Sequence, residues 1–216
     1  MTAKIKLNSA SGGGSVSLQA PSSSSNNRVF TIPDEADATL LTSNTSTGKI
    51  LQVISVSDSV RESVGTVSMS SANTYYDTPF AVTITPSATS SKILLMGHVM
   101  GEFNNDDYKN MWRINRAVSG GSTTAIQAAS AGSRPLGISV VTSAFYSSNA
   151  DSTPTVVNFS GLLDSPNTTS AITYTFQVNA TQGASKTFFY NQTVNNSDGI
   201  DYERGLSWIT AQEISA

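Results

Sequence analysis

No cysteine occurs in the 216 residues. Disulfides and thiolate metal sites are therefore excluded. Histidine is almost missing too: His98 is the only one, so one chain cannot build a multi-histidine metal centre. Charge is scarce. Only 12% of residues are charged and the formal net charge is -3, which offers no basic surface to nucleic acid or to an anionic membrane. The Glu, Lys and Arg that dress helical surfaces are missing with it. No segment approaches the roughly 18 apolar residues of a membrane helix. The two lysines near the N terminus are not followed by an apolar run of signal-peptide length. A soluble protein with no membrane insertion, no nucleic-acid partner and no cofactor is the expectation.

What fills the chain instead is Ser and Thr, more than a quarter of all residues, with many Asn. Strands of Thr, Val and Ile joined by Ser/Asn/Gly turns account for such a composition. Alternation supports it, because side-chain direction along a strand has a period of two. Ile172-Thr-Tyr-Thr-Phe-Gln-Val178 is the cleanest case. Further strands are predicted over 49–56, around Phe80, Val82 and Ile84, over 92–100, over 110–116 with Trp112 and Ile114 on one side, from Ile138 towards Tyr146, over 154–160, over 186–190 and over 206–214. One short helix is predicted near Val60–Val64. Regular short strands separated by turns define an all-β sandwich or jelly-roll-like head. Ile93, Leu95, Trp112, Phe176 and Trp208 are its predicted core.

Catalytic patterns are weak. His98 lies in the apolar run Met96-Gly-His-Val-Met100, and no Gly-x-Ser-x-Gly elbow supplies a nucleophile for it. A packed histidine with one hydrogen bond is the simpler expectation; three copies meeting on a threefold axis is the metal-binding alternative. Glu102-Phe-Asn-Asn-Asp-Asp107 and Asn195-Asn-Ser-Asp-Gly-Ile-Asp201 are rich in oxygen ligands but lack the spacing of a calcium loop, and Asn/Asp turns explain both. Ser119-Gly-Gly-Ser122 lacks the lysine and helix of a phosphate-binding loop. Nothing brings two carboxylates together for glycoside cleavage. No catalytic, cofactor-binding or metal-binding residue is assigned.

Residues 1–47 read as an appendage and residues 48–216 as the head. The appendage holds a Gly-Gly-Gly run, a four-serine run and three alternating segments: Lys4–Leu7, Ser15–Leu18 and Arg28–Ile32. Such strands have no evident partner within the chain, so Val16, Leu18, Val29, Phe30 and Ile32 are predicted to bury themselves on sister chains or a docking surface. Polar and aromatic residues on the predicted head loops, namely Asn104, Asp106, Tyr108, Tyr146 and Tyr202, are predicted contacts for a receptor. Tyrosine gives large contact area at low rotamer cost.

Gly12-Gly-Gly-Ser-Val-Ser-Leu-Gln-Ala-Pro21, Asn27-Arg-Val-Phe-Thr-Ile-Pro33 and Ala38-Thr-Leu-Leu-Thr-Ser43 together resemble the N-terminal module of fibre proteins from marine bacteriophages, cyanophages especially. Gly48–Val53, Ile84–Leu95 and Trp208–Ile214 are similar to the head that follows that module, while residues 104–152 depart most. The resemblance implies a homotrimeric virion protein, mounted by its N-terminal segment on other virion proteins of the tail or capsid. Its head would project from the virion surface and take part in attachment to a host glycan or protein. A capsid decoration or cement protein is the alternative, and a polysaccharide depolymerase a more distant one.

Overall fold

Alternating sequence produces strands along just over half of the described residues. The computed structural model describes residues 4–8, 11–19, 22, 23, 25, 29, 48–104, 110–130, 132–140, 152–181 and 185–215. Two units are distinguished, Met1–Thr42 and Ser43–Ala216. In the first, β1 (Lys4–Asn8) and β2 (Ser15–Gln19) form an antiparallel ribbon. The sequence predicts no partner for these strands within the chain, yet they pair with each other. Their register sets Ile5 opposite Leu18 and Leu7 opposite Val16. Pairing satisfies the backbone groups on the facing edges only and builds no core, since two strands alone bury too little. Ile5 and Leu7 stay 64% and 61% exposed. Val29 is exposed as well. Phe30 and Ile32 lie outside the described residues.

The second unit holds one short helix, α1 (Asp58–Arg61), among strands β3 (Ile50–Ser55), β4 (Gly65–Met69), β5 (Tyr75–Ile84), β6 (Lys92–Phe103), β7 (Asn110–Val118), β8 (Thr123–Ile126), β9 (Ser139–Val140), β10 (Thr155–Asp164), β11 (Ile172–Ala180), β12 (Lys186–Tyr190) and β13 (Trp208–Ile214). All pairings are antiparallel. One sheet has six strands in the order β3-β13-β6-β12-β4, with β10 on the other edge of β6. The other runs β5-β11-β7-β8, with β9 also on β7. Strand β6 is the fork of the first sheet. Its Lys92–His98 part pairs with β13, and its Gly101–Phe103 part pairs with β12 on the same edge.

The two sheets share one core, as a sandwich requires. Ile172, Tyr174, Phe176 and Val178 are all fully buried, as their alternation predicts. Ile93, Leu95 and Trp112 join them. Each such side chain contributes about 2–3 kcal/mol on burial. The Trp112 ring meets Phe188 at 5.0 Å and Phe176 at 5.2 Å, both edge-on, the arrangement aromatic quadrupoles favour. Trp208, the remaining predicted core residue, is only half-buried. The next residue, Ile209, points inward, so alternation turns Trp208 to the outer face.

Two glycines shape the six-stranded sheet. A Cβ at Gly97 would stand 2.6 Å from Phe159 Cζ, so the absence of a side chain lets that ring lie over β6. Gly161 has φ +78 and sits in the β10 irregularity between Phe159 and Leu162. Only glycine adopts that backbone without strain. Beyond the bulge, Asp164 ends β10 and reaches the second sheet. It pairs with Arg116 at 2.7 Å and accepts from the Tyr174 hydroxyl at 2.8 Å. Burial, with the Asp164 carboxylate beside it, drives the Tyr174 hydroxyl far above its ordinary pKa. It therefore stays a donor.

Candidate functional site

The loops at the Phe103 end of β6 are drawn together by one carboxylate. Glu102 has no exposed surface. Its Oε1 accepts from the backbone and hydroxyl of Thr153 at 2.6 and 2.7 Å. Its Oε2 accepts from the Val194 backbone at 2.6 Å. These three short bonds fix two separate loops to one strand. Asn191 extends this framework. It donates to the carbonyls of Arg61 and Ser63 at 2.8 and 2.6 Å and accepts from the Ser207 hydroxyl at 2.6 Å. Ser152 then ties its loop to the carbonyl of Asp201 and, at 3.2 Å, to Glu203.

This arrangement brings two predicted contact residues to the same end of the molecule. Asn104 follows β6 directly, and its Oδ1 accepts the Thr187 backbone N–H at 2.8 Å. That oxygen serves the fold, extending the β6–β12 ladder by one rung. Tyr202 is half-buried beside Gly199, whose carbonyl its backbone N–H reaches at 3.3 Å. Asp106, Tyr108 and Tyr146 lie outside the described residues.

A second polar surface was missed by sequence reasoning. It crosses the outer face of the five-stranded sheet, where Asp77, Gln177 and Arg113 stand in one row over β5, β11 and β7. Arg113 Nε donates to Gln177 Oε1 at 2.7 Å and its Nη1 to Gln127 Oε1 at 3.0 Å. Gln177 Nε2 donates to Asp77 at 2.6 Å. The Tyr75 ring lies 3.9 Å beneath the guanidinium, a cation–π contact, and its hydroxyl donates to the Leu136 carbonyl. Burial pushes the Tyr75 pKa up, against opposing effects from Asn179 and the Arg113 charge. Burial lowers that of Arg113, opposed by Tyr75 and Asp77. The outcome is a cation held rigidly by neutral acceptors, with the exposed Asp77 carboxylate nearby. Such planar donors and acceptors suit hydroxyl- or carboxylate-bearing ligands. The sequence signal was an arginine inside a strand of a charge-poor chain.

His98 sits on the outer face of the six-stranded sheet. Its Nδ1 is 2.6 Å from Asn158 Oδ1, and its ring stacks with Trp208 at 6.3 Å. Among the described residues no group of three or more His, Asp or Glu side chains is placed to hold a metal ion. No described helix is long and apolar enough to cross a membrane. No protein-family model matches this chain, and no curated protein matches it.

Proposed function

We propose that this protein is a bacteriophage virion structural protein, a homotrimeric fibre or spike on the particle surface that contributes to host attachment by binding rather than by catalysis. The observation that carries the reading is the β1–β2 ribbon. It pairs only along its inner edges and leaves Ile5 and Leu7 in solvent, as a segment made to be covered by other chains would. The phage assignment rests on the resemblance of residues 12–43 to the anchoring module of phage fibres. Two features of the head support attachment: loops pinned by Glu102 at one end, and the rigid Arg113 row on a polar sheet face. Three copies per spike and many spikes per particle would turn weak contacts into firm adhesion.

Immunogold labelling of intact particles, with the copy number measured on the same preparation, tests this. Label at the particle surface, on the tail or on a few capsid-mounted spikes, with a low copy number is the expected result. Label spread over the capsid at high copy number would move the protein to the decoration role, and particles without label would end the reading.

A further inference from the structure

We infer that the Arg113 row on the outer face of the five-stranded sheet is a binding site for a carboxylate-bearing sugar, a uronic or sialic acid within a glycan. Its use in attachment rests on the reading above; its chemistry does not. Arginine carries five N–H donors in a planar fork. Two of those on Arg113 are committed, Nε to Gln177 and one on Nη1 to Gln127. Three remain, both of those on Nη2 among them, enough for the two parallel bonds of a carboxylate. Arg61 and Arg116 each hold a carboxylate of the chain at 2.7 Å. Arg113 has none within ion-pair distance among the described residues. Gln177 keeps it so. Only 7% exposed, it accepts from Arg113 and donates to Asp77 at 2.6 Å, standing between two charges that would otherwise neutralise each other. The Tyr75 ring, 3.9 Å from the guanidinium, fixes its plane. Burial lowers the Arg113 pKa, as expected of a cation that has given up water without gaining a counter-ion. A guanidinium so held, with open donors, is preorganised for an anion from outside.

Asp77 selects among anions. Register places it two strands from Arg113, with Gln177 between, a separation of about 10 Å at roughly 4.8 Å per strand. It is exposed, and only one of its carboxylate oxygens has a partner among the described residues. That negative charge repels a ligand crowded with sulfate or phosphate groups. Its open oxygen accepts hydroxyls. A sugar with one carboxylate and several hydroxyls satisfies both ends of the row: its acid group on Arg113, its hydroxyls towards Asp77. Arg134 is exposed, two residues before the Leu136 carbonyl that the Tyr75 hydroxyl holds. It adds a second positive charge on the segment bound to Tyr75, for a further acidic unit of the same glycan.

The test uses the full chain and titration calorimetry with an oligogalacturonate, an oligosialate, the methyl esters of both, and dextran sulfate. At least one acidic oligosaccharide should bind. Its methyl ester should bind at least about 10-fold more weakly, because the ester keeps the hydroxyls and loses the charge-assisted bonds. Arg113→Lys keeps the charge but loses the fork, and should also weaken binding about 10-fold or more. Lys92→Gln, on the other sheet, should leave binding unchanged. The ester comparison uses the wild-type protein, so it stands even where the arginine variant fails to fold. Binding of neither acid would make Arg113 a structural clamp of the sheet and overturn the inference. An ester that binds as well as its acid overturns it too, as does a folded Arg113→Lys protein with wild-type affinity. Dextran sulfate bound more tightly than either acid would show an unselective anion surface, with the same consequence. Protein that binds an acidic sugar through Arg113 yet is missing from particles would remove the virion reading and keep the site. Labelled particles whose protein binds neither acid would do the reverse.

Discussion

Replacing Glu213 with Gln should remove a measurable part of the acid sensitivity of this protein. Glu213 lies on the inner side of β13 with no exposed surface. Burial alone would raise its pKa. Hydrogen bonds from Ser91, Ser87 and Gln52, and from the Ser87 backbone, outweigh that effect and hold it at about 2, below its ordinary 4.5. The distances are short: 2.7 Å from both the backbone and hydroxyl of Ser87, and 2.6 Å from Gln52 Nε2. A depressed carboxylate pKa means that the folded state holds the proton less tightly than the unfolded chain. The associated stability is fully present above pH 4.5 and is lost as pH falls towards 2. The gap between 4.5 and about 2 corresponds to roughly 3 kcal/mol.

An amide cannot replace the carboxylate. Both hydrogens of Gln52 Nε2 are committed, one to Glu213 and one to the Thr85 carbonyl at 2.7 Å. The amide nitrogen introduced at position 213 would face a donor, and flipping Gln52 would set its oxygen against Thr85. At pH 7 the variant should therefore lose about 2–3 kcal/mol. Urea unfolding at a series of pH values from 7 to 2 measures both effects. Between pH 4.5 and 2 the wild type should lose stability faster than Glu213→Gln, by up to about 1.4 kcal/mol per pH unit. The other acids contribute to both curves and cancel in the difference. Parallel curves through that window would refute the reasoning.

Gly97→Ala should destabilise the head by about 1–3 kcal/mol through collision with Phe159, and Gly97→Ala/Phe159→Leu should recover part of the loss; thermal unfolding of the four combinations measures it. Gly161→Val should cost about 1–2 kcal/mol at its left-handed backbone position, and Gly161→Asn less, because Asn tolerates that region better. Equal losses for the Val and Asn variants would argue against backbone strain.

Much of the head was legible in alternation. Ile172–Val178, the 92–100 run and the strand through Trp112 all formed where predicted, because an inward residue every second position is a direct consequence of strand geometry. Strands β4 and β8 were not read: Gly65–Met69 and Thr123–Ile126 are short and rich in Gly, Ser or Thr, so their pattern merges with that of turns. The pairing of β1 with β2 was equally silent, since register between distant segments is not written in either one alone. Apolar residues in β3 show a different limit. Ile50-Leu-Gln-Val-Ile54 has the composition of an interior strand, yet it occupies a sheet edge with Ile50, Leu51, Val53 and Ile54 all exposed. Hydropathy records a need for cover, not who supplies it. The polar sites depended on cross-strand rows, which likewise appear only after folding.

Strand β6 gives the head a direction for carrying load. Lys49 and Ser215 are hydrogen-bonded neighbours where β3 begins and β13 ends, and Ile214 pairs with Lys92 at the start of β6. Glu102 and its loops stand ten residues farther along the same strand, about 33 Å away. A pull between a tether on residue 49 and a ligand held at the loops would run lengthwise along β3, β13 and β6. Their hydrogen bonds lie crosswise to that pull. They would be sheared together rather than peeled one after another, so flow or cell motility would have to break many rungs at once to tear the head apart.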